Sequence, residues 1–194
     1  MRRRDFISLI GMAALARPAH AQEAKGTPLV GVLTPFIASD LAAQTLLGLF
    51  RETLASLGWS EGRNIRFTYI WIGGDSTRID TDAQQMVRLA PDVIFAFSEL
   101  IVFALQLQTR SIPIVFVAPS DPEKLEPDRP DHRANITGIV GGGEPGEVPR
   151  LAAGYVDRIL RGAKPTDLPV IELAERSPLC CANIDRAVRK ARKK

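Results

Sequence analysis

The chain has 194 residues, of which 45% are hydrophobic and 24% charged, and a formal net charge of +3 at pH 7. That is about one domain's worth of chain with a globular composition, which excludes a disordered, a fibrous and a polytopic membrane protein. The basic excess sits at the two ends, in Arg2, Arg3, Arg4 and Arg17 and in the run after Asp185, so the body between is mildly acidic and no nucleic-acid partner is expected.

Arg2, Arg3 and Arg4 open the chain, Phe6 to Ala16 is a short apolar run broken by Ser8 and Gly11, and Ala19-His20-Ala21 is a small-x-small site. This order reads as an export signal over residues 1–21, cleaved after Ala21, which sends the chain to the periplasm. Arg3-Arg4-Asp5-Phe6-Ile7 has the form of a twin-arginine signal, with the general secretory route as the alternative. A membrane anchor needs about 20 apolar residues and this run is roughly half that, so no stable membrane insertion is expected.

Leu29 to Leu33 reads as a buried strand. A helix capped by Ser39 follows to Leu57, with Ala43, Leu46, Phe50, Leu54 and Leu57 on one face and Gly58 as its stop. Asn64 to Trp71 alternates as a strand, with Ile65, Phe67, Tyr69 and Trp71 on one side. A second helix runs from a Ser76 cap to Pro91, with Ile79, Ala83, Met86, Val87 and Ala90 at helical spacing. Val93 to Phe97, Leu100 to Thr109 and Ile112 to Val117 continue as strand, helix and strand. The stretch 93–107 is apolar except for Ser98, Glu99 and Gln106, and its length fits a buried strand turning into a buried helix better than a membrane span.

Prolines and aspartates make 119–131 a loop, Ile136 to Val140 a short strand, and 141–150 a Gly/Pro linker. Leu151 to Arg161 reads as a helix that packs back onto the sheet, Pro169 to Leu173 as a strand, and 174–194 as a basic tail, a frayed helix or disordered. Strands alternating with helices imply right-handed crossovers and an α/β, doubly wound parallel sheet, with residues 29–140 as one α/β lobe.

Chemistry-bearing residues are sparse. Cys180 and Cys181 are adjacent and make no useful staple, and His132 is the sole histidine after the signal, so no metal, cofactor or catalytic residue is expected. Gly141 to Gly146 matches G-x-G-x-x-G with Asp167 downstream, but Glu144 and Glu147 would repel a pyrophosphate and Pro145 and Pro149 remove amide donors. A small exported enzyme using this loop for a nucleotide is therefore the alternative reading. Parallel sheets bind ligands at the carboxyl ends of their strands, which selects Thr34, Ser98, Glu99, Ser120 and Asp121 as ligand-binding candidates. Ser39, Ser76 and Ser98 read first as plain helix caps. Pro35, Phe36, Phe97 and Val117 are expected to leave an apolar strand-end surface.

The twin-arginine start, Val30-Gly31-Val32-Leu33, Leu57-Gly58-Trp59-Ser60-Glu61-Gly62-Arg63-Asn64-Ile65, Ile112-Pro113-Ile114-Val115-Phe116, Asp121-Pro122 and Asn135-Ile136-Thr137-Gly138 occur in one order over residues 1–140. Together they resemble the periplasmic substrate-binding proteins of ABC transporters, of the type related to tryptophan- and tyrosine-binding components. The resemblance implies a type I periplasmic-binding-protein fold, no enzymatic activity, a small organic ligand such as an amino acid held between two lobes, and an ABC transporter permease as partner. Such proteins run to about 300 residues, two domains. Here Ala153 to Val170 resembles their C-terminal part and follows the first lobe almost directly, so the second lobe is missing and the member is expected to be truncated and impaired, or a non-functional gene remnant. Where the family carries glycine or threonine-type residues after the third strand, this chain has Ser98-Glu99.

Overall fold

The computed structural model describes residues 26–119, 134–142 and 146–173. The export signal, Ser120, Asp121, His132, both cysteines and the basic tail lie outside the described residues.

Strands β1 (Leu29–Thr34), β2 (Arg66–Trp71), β3 (Val93–Phe97), β4 (Ile114–Ala118), β5 (Ile136–Val140) and β6 (Ile171–Glu172) form one six-stranded sheet. Every pairing is parallel and the order is β2-β1-β3-β4-β5-β6. Helices α1 (Leu41–Ser56), α2 (Ile79–Arg88), α3 (Glu99–Gln108) and α4 (Glu147–Leu160) cover both faces. On one side, Leu47, Phe50 and Leu54 of α1 and Val148, Ala152, Tyr155 and Val156 of α4 pack on Val30, Val32, Phe95, Val115, Val117 and Ile139. On the other, Ile79, Ala83 and Met86 of α2 and Ile101, Val102 and Leu105 of α3 pack on Leu33, Ile94, Ala96, Ile114 and Phe116. Strands buried on both faces become continuous apolar runs, which is why β3, β4 and β5 are buried at every position.

Helix ends depart from the sequence expectation in detail. Asp40, not Ser39, caps α1, its Oδ1 accepting from the N–H groups of Ala42 (2.8 Å) and Ala43 (3.1 Å). Asp75 caps a 3-10 turn (Ser76–Arg78) that leads into α2, so Ser76 is the first residue of that turn and not its cap. The connection expected over 141–150 is shorter, because α4 begins at Glu147. Pro149 is the third residue of that helix, where the first-turn N–H groups have no intrahelical acceptor and a missing one costs nothing. Packing selects Leu47 over Leu46 for the core, and Leu57 ends outside the stripe at 36% exposure.

Two glycines respond oppositely to a methyl group. Gly138 of β5 lies opposite Phe116 of β4, and a Cβ there would collide with the Phe116 backbone and ring. Gly154 of α4 has nothing within 4 Å of its would-be Cβ. Gly138→Ala is expected to destabilise the fold by about 2–3 kcal/mol, and Gly154→Ala to stabilise it by about 0.5–1 kcal/mol. Urea unfolding of the two variants against the parent reads both signs.

Candidate functional site

The carboxyl ends of β1, β3 and β4 open on one edge of the sheet. Leu33 of β1 pairs with Ala96 of β3, and Phe97 of β3 with Val117 of β4, so Thr34, Ser98 and Glu99 stand at the ends of neighbouring strands. Ser120 and Asp121 follow β4 and lie outside the described residues.

Thr34 is fully buried, and its Oγ1 accepts from the Phe36 N–H at 3.4 Å, so it shapes the turn after β1 from within. That turn is tied to the one after β2: Gly73 N–H donates to Phe36 O at 3.0 Å and Gly74 N–H to Pro35 O at 2.8 Å. Beyond it, the Asp75 carboxylate accepts from the Thr77 hydroxyl (2.6 Å) and N–H (3.0 Å). These two bonds hold the Asp75 carboxyl below the usual carboxylate range.

Ser98 is the unusual residue of this edge. Its backbone has φ +77° and ψ 138°, a region that side-chain-bearing residues rarely occupy, at a strain of about 1–3 kcal/mol. The surroundings enforce it. Ser98 N–H donates to Val117 O (2.9 Å) while its carbonyl accepts from Val102 N–H (3.2 Å), so the residue turns the chain from the sheet directly into α3. Its Oγ accepts from Leu100 N–H at 3.3 Å, the helix-cap role the sequence left open. Glu99 is the first residue of α3 and only 1% exposed, which sets a carboxyl group against the positive end of the helix.

The apolar rim lies elsewhere than expected. Pro35, Phe97 and Val117 are buried and Phe36 is half-buried, with the Phe36 and Phe97 rings 6.0 Å apart, edge to face. The exposed apolar side chains near this edge are Ile37 (52%) and Leu41 (83%). Their signal was present in the sequence, since Leu41 falls off the stripe formed by Ala43, Phe50 and Leu54. Among the described residues no three of His, Cys, Asp and Glu gather as a metal site would require, and no helix is long and apolar enough to cross a membrane.

No protein-family model and no curated protein matches the chain. Solved structures do. A conserved domain protein from Vibrio cholerae O1 biovar El Tor shares 22% identity and a TM-score of 0.51, over 76% of this chain and 57% of that one. A substrate-binding protein with adhesive properties from Clostridium difficile, in its ligand-free open form, shares 17% identity and a TM-score of 0.50, over 75% and 57%. An ABC domain from Streptococcus pneumonia in complex with L-Trp shares 18% identity and a TM-score of 0.50, over 78% and 58%. The described residues thus have the α/β fold of one lobe of a type I periplasmic binding protein. The chain spans somewhat over half the length of the solved proteins it matches.

The strain at Ser98 separates its two roles. Ser98→Gly relieves the backbone while forfeiting the cap, and is expected to leave the fold as stable as the parent or up to about 1 kcal/mol more stable. Ser98→Ala keeps the strain and loses the cap, at a cost of about 1 kcal/mol. Guanidinium unfolding of the pair measures the difference.

Proposed function

We propose that the chain is the periplasmic solute-binding component of an ABC importer, non-enzymatic, taking a small organic ligand such as an amino acid at the carboxyl ends of β1, β3 and β4 and serving a membrane permease. The observation that carries this reading is Ser98. A non-glycine residue held at φ +77° on a central strand end, beside the buried Glu99, is strain placed where parallel sheets take their ligands. The fold shared with a substrate-binding protein and with an ABC domain that holds L-Trp supports it. In this reading Thr34 shapes the floor, and Ser98, Glu99, Ser120 and Asp121 contact the ligand. Residues 1–21 are an export signal removed after Ala21.

Binding by the described lobe on its own is expected to be weak. Proteins of this fold enclose the ligand between two lobes, and closure excludes water and completes the polar contacts. With one lobe about half of the ligand's burial is lost, several kcal/mol at ~25 cal/mol per Å2, and each 1.4 kcal/mol is tenfold in affinity. A site that would be micromolar between two lobes is therefore expected near millimolar for this lobe alone.

Calorimetric titration of the chain with amino acids and small organic acids tests this. The expected result is saturable heat in the millimolar range that Ser98→Ala weakens further. Absence of saturable heat for every ligand would overturn the binding reading, and stabilisation by a dinucleotide in a thermal-shift assay would favour an enzyme built on the Gly141–Gly146 loop. Export is checked separately: the intact mass of periplasmic material is expected to place the N-terminus at Gln22, with Arg3→Lys and Arg4→Lys together blocking export by the twin-arginine route.

A further inference from the structure

Strand β2 ends the sheet on one side, and its outer edge is open. Arg66 N–H donates to Pro28 O and Ile72 N–H to Thr34 O, both at 2.9 Å, so the even-numbered residues of the strand face β1. The two-residue period of a strand turns the N–H and C=O groups of Phe67, Tyr69 and Trp71 the other way, toward the free edge. Among the described residues no hydrogen bond reaches these groups.

The open run is bounded at both ends. Ile65 O already accepts from Gly62 N–H at 3.0 Å, and Gly73 N–H donates to Phe36 O at 3.0 Å. What the edge offers is therefore one donor and one acceptor at each of Phe67, Tyr69 and Trp71, an arrangement symmetric about Tyr69. The usual blunting devices are missing from it: residues 66–72 contain no proline and no lysine, and the pairing with β1 runs through without a bulge.

We propose that this edge pairs with the same edge of a second copy of the chain, antiparallel, about a two-fold axis through Tyr69. That register uses every free group. Tyr69 faces Tyr69 of the second copy and Phe67 faces its Trp71, each pair exchanging both hydrogen bonds. A slip of two residues in either direction would call on Ile65 or Gly73, whose groups are already committed. A parallel copy would stagger the bonds and leave groups at the ends of the run unmet. Side chains and charge agree with the antiparallel pair. The rings of Phe67, Tyr69 and Trp71, half-buried in one copy, continue across the seam as one aromatic face. The same register sets the exposed Arg63 opposite the exposed Asp75 of the second copy, a match of opposite charges that steers the two edges into this orientation. The seam shares no residue with Thr34, Ser98 or Glu99, and pairing there does not depend on ligand binding at the strand ends.

The test follows the full chain by light scattering and by amide hydrogen exchange read residue by residue. In a single copy the Phe67, Tyr69 and Trp71 amides face the free edge and exchange freely. The expected result is a dimer that forms as the chain is concentrated, with exchange of these amides slowed about tenfold once roughly nine-tenths of the chain is paired. Tyr69→Lys and Tyr69→Glu set like charges against each other across the axis. Each alone is expected to be monomeric, and an equal mixture of the two to restore the dimer. A chain that stays monomeric up to millimolar concentration, a dimer whose Phe67, Tyr69 and Trp71 amides exchange as fast as in the monomer, or single variants that pair as the parent does would each overturn the proposal. The amide readout needs only the parent chain, so it decides the matter even where a substitution at Tyr69 weakens the fold.

Discussion

The packing of α4 against α1 is the contact on which the rest of the lobe depends. A parallel sheet must be covered on both faces, and α1 on its own leaves the β3–β5 side of its face open. Helix α4 arrives after β5, lies beside α1 and covers Phe95, Val115, Val117 and Ile139. Several polar bonds fix its position. Trp59 Nε1 donates to Asp157 Oδ1 at 2.8 Å, Arg161 donates to the Leu57 carbonyl at 2.9 Å and lies 5.7 Å over the Trp59 ring, and Tyr155 donates to the Pro169 carbonyl. The segment after the glycine-rich connection thus completes the cover of this face of the sheet.

That arrangement sets what the strand ends can do. The strand ends are braced internally: Thr34 is wholly buried, the turns after β1 and β2 are hydrogen-bonded to each other, and the Phe36 and Phe97 rings meet edge to face. The large apolar side chains exposed at this edge are Ile37 and Leu41, beside the exposed turn residues Gly73, Gly74 and Asp75.

The alternation of strand and helix was legible because each element is buried along one stripe or throughout, and those patterns are written in residue types. The motifs that carry the family resemblance explain why the fold was more legible than the site. Asn135 donates through its amide to Ile112 O at 2.9 Å, Thr137 donates to Leu168 O at 3.0 Å, and Gly138 admits the Phe116 ring. Gly58 ends α1 at φ +99°, and the Asn64 side chain donates to the Gly58 carbonyl while accepting from Ser60 N–H. These residues build the fold and touch no candidate site. The strain at Ser98 is invisible in sequence because serine has no special preference for positive φ; only the demand that β3 turn at once into α3 creates it. The early start of α4 was hidden by glycines and prolines that read as a linker, although Gly146 at φ +87° and Pro149 in the first turn are both compatible with a helix beginning.

The two edges of the sheet meet the hazard of unpaired backbone in different ways. One edge is blunted by brevity, since β6 is two residues long and leaves almost nothing to extend. The other, β2, is six residues long, and its alternating side chains decide what can approach it. Ile70 anchors the strand on the α2 and α3 side, while Phe67, Tyr69 and Trp71 stack into an aromatic column on the α1 side that is only half-buried. A column of that kind keeps the strand in register through cross-strand packing with Val30, Val32 and Thr34 of β1. It also leaves a broad apolar surface beside the cationic Arg51. Protection of the long edge and its register against β1 thus rest on the same three rings.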